Sequence, residues 1–358
     1  MITVQEKNRL KQVAPILRHY AVEANFVEDF GRVQKIYSNK GIFALKKIKT
    51  NHGADFIRHV HNLYQKGYNR VVPIYPTADG RYAVLHGHHL YYLMPWLANE
   101  LKEDRTQRYQ QMFRELARMH TLSVKEVKIT KEEREEHYEN TLQQWEREKE
   151  FLSGFIEQCE KRAYMSPTEL LFCLYYHDIT QAIKYAEDKL KAWYEKTKEE
   201  EKARTVLIHG KVSPEHFLFD ERGYGYFLNF ENAKLSSPLH DMLPFLSRSL
   251  KTYPKRSEEA VDWFYTYLKY FPYKEDELLL FQSYFAYPGP VIRAAERYYK
   301  KKNSRGERKM LQYFQNQFWL LKNTEYVIMR IEETERQKKE AAAAAAAQAQ
   351  AEQEGAQN

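Results

Sequence analysis

The side chains best able to do chemistry are concentrated in residues 206–232. Val206-Leu-Ile-His209-Gly210-Lys211-Val-Ser213-Pro214-Glu215-His216-Phe-Leu-Phe219 leads through Asp220-Glu-Arg-Gly223 to Tyr226-Phe-Leu-Asn229-Phe230-Glu231-Asn232. Imidazoles, an ammonium, a carboxamide and carboxylates on one hairpin are groups that bind anions, ligate cations or move protons. Lys211 is a fixed positive charge suited to a phosphate or to a partner's carboxylate. Glu215 and Glu231 are the carboxylates available to a rearranged site. Lys46, in Phe43-Ala-Leu-Lys46, supplies a further cation. His86, His88 and His89 have the composition of a metal cluster but straddle a turn, so they read as a polar hairpin end. Cys159 and Cys173 are too few for a disulfide framework or a four-thiolate zinc site, and read as two reduced, mostly buried thiols.

Several elements must position these groups. The apolar stripe Leu10, Val13, Ile16, Leu17 predicts a helix from about Val4 to Tyr20, kinked or restarted at Pro15. Strands are expected at Phe26–Phe30, Val33–Tyr37 and Gly41–Ile48, then a helix over Ala54–Lys66 stopped by Gly67. Val71–Tyr75, Tyr82–His86 and Leu90–Trp96 complete an antiparallel sheet of about five strands with one helix inserted after the third. Helices are expected at Arg105–His120, Lys131–Cys159 and Gln181–Glu201, with His177-Asp178 at a helix start, where Asp is a natural cap. Beyond Leu239 the pattern is helical throughout, and the Trp and Phe residues of 263–285 belong to core. The expected domains are a β-rich lobe with a leading helix (1–97), a helical lobe (98–331) holding the hairpin 206–232, and a disordered Ala/Gln/Glu-rich tail (332–358).

Composition excludes whole classes. The chain has 358 residues, 43% hydrophobic and 15% aromatic, with 13 Gly and 12 Pro, which rules out disordered and collagen-like chains. The net charge of +7 is uneven: residues 332–358 carry three basic and six acidic groups, a net −3, leaving +10 on residues 1–331. Because Lys and Arg are interleaved with Glu along the helices, this reads as a solvated surface and not as a nucleic-acid footprint. No stretch reaches the roughly 18 apolar residues of a membrane span. The charged N-terminus lacks the apolar core of a secretory leader, so an intracellular, soluble protein is expected.

The hairpin and Phe43-Ala-Leu-Lys46 together resemble the phosphotransferases of the aminoglycoside and choline kinase kind. The resemblance runs from about residue 20 to 330. It covers His209-Gly210, Pro214, Phe230, the later Asp241, and the Glu115-Leu-Ala-Arg-Met-His120 helix. It implies an α+β, two-lobed protein-kinase-like fold, with a small antiparallel β lobe and a large helical lobe. In that family the catalytic loop reads His-Gly-Asp and later Asn, and the next strand ends Ile-Asp-Phe. The first Asp orients the attacking hydroxyl, the Asn and second Asp hold Mg²⁺, and a third-strand Lys holds the nucleotide phosphates. Here those positions carry Lys211, His216 and Asn229, while Lys46 is kept. A protonated lysine is no base, and imidazole is a poor magnesium ligand. No Glu occurs between residues 29 and 99 to pair with Lys46; Asp55 is the only carboxylate on the following helix, and Gly31 is the only glycine in the first turn. The expectation is a degenerate site with no catalytic residue and no metal ligand. Lys46 is its single nucleotide-facing group, and Glu231 is a metal ligand only if activity is retained.

Within this superfamily the opening helix, Phe43-Ala-Leu-Lys-Lys-Ile48, Tyr91-Tyr-Leu-Met-Pro-Trp96 and the Leu-Ala-x-x-His helix resemble spore-coat proteins of the CotS family, the YsxE type in particular. That resemblance implies synthesis in the mother-cell cytoplasm, deposition on the spore coat and other coat proteins as partners. The leading expectation is a non-catalytic assembly protein with no cofactor. The alternatives are a nucleotide- or phosphometabolite-binding module, and a residually active kinase using ATP and Mg²⁺.

Overall fold

Helix α1 (Val4–Leu17) leads into three strands, β1 (Ala24–Asp29), β2 (Val33–Ser38) and β3 (Gly41–Lys49), in a computed structural model that describes residues 4–50, 55–99, 105–300 and 306–356. Pro15 lies inside the last turn of α1 without breaking it; the chain leaves through a 3-10 turn at Arg18–Tyr20 and through Ala21 at φ 52°. Helix α2 (Asp55–Gln65) follows, and Ala54, where the sequence pattern starts it, lies outside the described residues. Gly67 terminates it at φ +79°, its N–H donating to Tyr64 O at 2.9 Å. Strands β4 (Val84–His86) and β5 (His89–Pro95) complete a five-stranded antiparallel sheet of order β1-β2-β3-β5-β4, as expected. Val71–Tyr75 is not one of its strands. It makes only single bridges, Val71 to Phe227 and Tyr75 to Leu93, and Pro73 in its middle has no N–H to offer a ladder.

Alternation assigns the two faces of this sheet. Val27, Ile36, Leu45, Val84 and Leu93 pack with Val13, Ile16 and Leu17 of α1 into one buried cluster. Cross-strand partners share a face, so the opposite side carries the row Val33, Lys46, Tyr92 and the row Lys35, Ala44, Met94. His86 and His89 face each other across the β4–β5 turn at Gly87, the polar hairpin end read from the sequence.

Next come α3 (Arg105–Ser123), the short β6 (Lys125–Lys128) that the sequence pattern missed, α4 (Lys131–Glu160) and α5 (Pro167–Thr197). Reciprocal capping boxes, Thr130 with Glu133 and Ser166 with Glu169, start the two long helices. Because α5 starts at Pro167 and not at Gln181, His177 and Asp178 are mid-helix residues and Ser166 is the cap. Strands β7 (Lys202–Ile208), β8 (Phe217–Phe219), β9 (Gly225–Phe227) and β10 (Lys234–Ser236) follow. β8 and β9 pair as a hairpin with Phe217 opposite Phe227, and β10 runs antiparallel to β7. The remainder is helical, as expected: α6 (Leu239–Ser249), α7 (Glu258–Tyr270), α8 (Glu275–Ala286), α9 (Gly289–Lys300) and α10 (Glu307–Ala356).

The chain forms two compact units. One comprises Met1–Glu126, Arg204–Met242 and Thr266–Phe271, so the hairpin expected within a helical lobe groups instead with the sheet. The other comprises Val127–Ala203, Leu243–Tyr265 and Pro272–Asn358. The core of this second unit gathers Phe155 and Cys159 of α4, Phe172, Ile179 and Ile183 of α5, Val291 and Tyr298 of α9, and Phe314 and Phe318 of α10. Trp263, Phe264, Phe281 and Phe285 are buried, as expected for core. Cys159 is buried and Cys173 half-buried, both free thiols; burial, the largest influence, pushes the Cys159 thiol up to about 12.

The tail departs from expectation. Helix α10 runs on through the seven alanines to Ala356, although residues 336–348 are exposed. Alanine is the best helix former, so intrinsic propensity sustains a helix that no packing requires.

Candidate functional site

The loop between β7 and β8 is shaped by buried, mutually bonded groups. His209 is fully buried against the rings of Phe227 and Phe230, at 5.5 and 4.8 Å between centroids. Its Nε2 donates to Leu228 O at 2.8 Å, and its Nδ1 accepts from the Lys211 N–H at 3.2 Å. Those partners fix a neutral tautomer, and burial holds the ring below the ordinary histidine range. The equally buried Asp241, in the first turn of α6, accepts the backbone N–H groups of His209 at 2.7 Å and Gly210 at 2.8 Å, and meets His120 Nε2 of α3 at 3.2 Å. Burial pushes the Asp241 carboxyl up, but the hydrogen bond and attraction of His120 with the loop amides outweigh it, so it stands below the usual range. His120 is completed by the Tyr267 hydroxyl at 2.7 Å. Gly210 is required twice over: its φ is +77°, and a Cβ there would collide with the Asn232 carbonyl.

Around this frame stand the residues singled out in the sequence. The Lys46 ammonium, on β3, meets the Glu231 carboxylate at 2.5 Å and donates to the Asn229 amide oxygen. Both members of the ion pair are nearly buried, with side chains 10% and 8% exposed. The same Glu231 oxygen accepts the Tyr92 hydroxyl at 2.7 Å. Burial holds Lys46 below the ordinary lysine range even though Glu231 pulls it upward. For Glu231, burial acts upward, but Lys46 and Tyr92 together bring the carboxyl below its usual value. Asn229 is in the left-handed region at φ 69°, ψ 51°, a conformation Asn tolerates better than most residues, and it opens a 3-10 turn at Phe230–Asn232 that swings Glu231 under the sheet.

The partner of Lys46 is thus Glu231, which sequence reasoning weighed only as a metal ligand. Asp55, the sole carboxylate on α2, is 83% exposed and paired with Arg58. Lys211 stands in the same loop and is exposed. His216 is half-buried, its Nδ1 donating to Lys211 O at 2.8 Å, and burial lowers its pKa. Glu215 is exposed and takes no part in the network. Among the described residues no group of three or more His, Cys, Asp or Glu side chains is placed to hold a metal ion.

Residues 29–270 match the phosphotransferase enzyme family, APH. The chain belongs to that family. The aminoglycoside phosphotransferase of Alicyclobacillus acidocaldarius resembles this family member with a TM-score of 0.63 at 16% identity, over 87% of this chain and 95% of its own. A spectinomycin phosphotransferase in complex with ADP and spectinomycin gives a TM-score of 0.50 at 12% identity, over 90% and 99%. At such identities the likeness is one of fold, and it bears out the kinase-like architecture with its small antiparallel sheet. No curated protein matches the chain by sequence. No described helix of this phosphotransferase-family chain is long and apolar enough to cross a membrane.

A metal–nucleotide does not fit the residues present. Magnesium needs charged or neutral oxygen donors free to bind it. Here the Asn229 oxygen accepts from Lys46, Glu231 Oε1 meets both Lys46 and Tyr92, and the loop contributes an ammonium and an imidazole in place of carboxylate and carboxamide oxygens. Aromatic rings gather farther along these strands, with Phe30 among them 61% exposed. The Phe30 ring stacks on Trp96 at 5.7 Å, and the Lys35 ammonium lies 4.9 Å from Trp96 and 4.8 Å from Tyr37.

Proposed function

We propose that this phosphotransferase-family protein is non-catalytic and serves in assembly of a bacterial spore coat through protein–protein contacts. One observation carries the loss of catalysis: Lys46, the group that would meet a nucleotide phosphate, is satisfied within the protein by Glu231 and Asn229. Lys211, an exposed ammonium at the position of the catalytic carboxylate, removes the base that orients a hydroxyl. The spore-coat assignment is supported by the likeness of the opening helix, third strand and connecting segment to coat proteins, and on that assignment the protein is made in the mother cell and partners other coat proteins. The test is ATP turnover by the purified chain with Mg²⁺ or Mn²⁺, alongside a fluorescent fusion followed through sporulation. No turnover and a ring of fluorescence on the spore are expected; metal-dependent phosphate transfer, or a fusion that stays diffuse in the mother cell, sinks the corresponding half of the proposal.

A further inference from the structure

Charge and hydrogen-bonding capacity are both left over at the outer edge of the sheet. Residues 30–98 contain ten Lys and Arg against two Asp, a net +8 where the whole chain has +7. Both acids are consumed locally, Asp55 by Arg58 at 3.0 Å and Asp79 by Arg81 at 2.6 Å. Lys49, at the end of β3, is exposed and makes no ion pair among the described residues. The register shares out the two faces. Lys49, His89 and His86 form one cross-strand row, and the His86 ring lies 6.4 Å from that of Tyr91 on the same face. The adjacent row, Ile48, Leu90 and Leu85, is apolar, falls on the opposite face and ends in a Leu85 that is 61% exposed. β4 is the last strand of the sheet and pairs with β5 alone. In this two-residue hairpin the closing pair His86–His89 bonds inward, so the N–H and carbonyl of Leu85 point outward. No described backbone group meets them. Two residues before β4, Tyr82 is one wall of a largely apolar cavity of about 280 Å³, shared with Ile57, Val60 and Tyr64 of α2 and with Pro73 and Pro76.

We propose that the outer edge of β4 docks an extended segment of a partner protein in which acidic and apolar residues alternate. Alternate side chains of an added strand fall on opposite faces. The acidic ones lie over the row of His86, His89 and Lys49, and the apolar ones lie beside Leu85, toward the cavity at Tyr82. Main-chain pairing with Leu85 supplies affinity and the two unlike faces supply specificity. Charge decides the occupant. A second copy of the chain brings the same basic row against itself, and a nucleic acid leaves Leu85 and the cavity unused. This inference rests on the assembly reading, to which it adds a face and the chemistry of the partner.

The test is fluorescence anisotropy of the full chain with a fluorescein-tagged peptide of eight alternating glutamates and valines. Saturable binding is expected, about tenfold tighter than to a peptide with its four glutamates followed by its four valines, which carries the same charge without the alternation. Leu85→Pro removes the outward N–H, and His86→Glu sets a like charge beside the incoming acids. Each should weaken binding about fivefold. Lys49→Glu, farther from the edge and exposed, should weaken it about threefold, and it keeps the inference testable should Leu85→Pro unfold the sheet. Circular dichroism of each variant controls for folding. No binding, equal binding of the blocked peptide, or folded variants that bind unchanged overturn the inference. So does tighter binding of a single-stranded oligothymidylate, or a dimer in sedimentation that His86→Glu strengthens and Leu85→Pro dissolves, which assign the edge to nucleic acid or to a second copy. ATP turnover, or a fusion that stays diffuse, fails the assembly reading and leaves peptide binding untouched.

Discussion

Replacing Glu231 by Gln keeps the shape of the side chain and an oxygen for the Tyr92 hydroxyl while deleting the charge that compensates Lys46. With side chains 10% and 8% exposed and a separation of 2.5 Å, the pair is a buried one. Removing one partner of a buried pair costs about 3–5 kcal/mol. The Asn229 oxygen still accepts from Lys46, and Lys46 already gives up its proton more readily than a free lysine, so the lower end, about 3 kcal/mol, is expected. At about 2–4 °C per kcal/mol for a unit of this size, the melting temperature of the sheet-bearing unit should fall by about 6–12 °C. The deficit has a pH signature. With Glu231 gone, the folded-state pKa of Lys46 falls further below its unfolded value. Between those two values the unfolded chain binds more protons, so the stability of the variant rises with pH across that window. The loss is therefore largest at neutral pH and shrinks toward the ordinary lysine range. Adding Lys46→Met to the variant removes the stranded charge and should recover most of the loss. Differential scanning calorimetry from pH 6 to 10 reads all three effects. A shift below about 2 °C, or a double variant no more stable than the single one, would refute the buried-pair reasoning.

Three further outcomes are expected. Asp241→Asn leaves the loop amides and His120 poorly matched and should lose at least about 2 kcal/mol by urea unfolding. Because the folded Asp241 pKa lies below its unfolded value, the wild-type contribution is complete above the unfolded pKa and disappears as pH falls through the folded one, a slope the variant should lack. Gly210→Ala combines a φ of +77° with a collision against the Asn232 carbonyl; it should destabilise by more than about 2 kcal/mol or fail to fold, seen as lost amide-exchange protection in the loop. Ser166→Ala removes the oxygen that accepts Glu169 N–H at 3.2 Å and should cost about 1 kcal/mol in the other unit, read by urea unfolding.

Local rules explain what was legible in the sequence. The strands at Val33–Ser38 and Gly41–Lys49 were legible, and Gly67 marked a helix end, because these signals act over a few residues. Helix α5 starts well before the expected Gln181, at the capping box that Ser166-Pro-Thr-Glu169 spells in the sequence. Val71–Tyr75 has strand-like residues, yet Pro73, with no N–H to offer a ladder, leaves it only two bridges. The Lys46–Glu231 pair joins residues 185 positions apart in the chain, a separation no local pattern encodes. A trace of it was present: a buried lysine on a strand with no glutamate between residues 29 and 99 must find its counter-charge elsewhere.

The division of labour in the β7–β8 loop has a consequence for mutational freedom. The groups that give the loop its path, His209, Gly210, Asp241 and His120, are buried and mutually bonded, while Lys211 and His216 enter the network through their backbone and ring edges at its rim. Selection for folding therefore acts on one set of positions and leaves the other open to drift. A chain of this kind can exchange its reactive side chains one at a time and never pass through an unfolded ancestor. Substitutions at Lys211 and His216 therefore leave the buried frame of the loop in place.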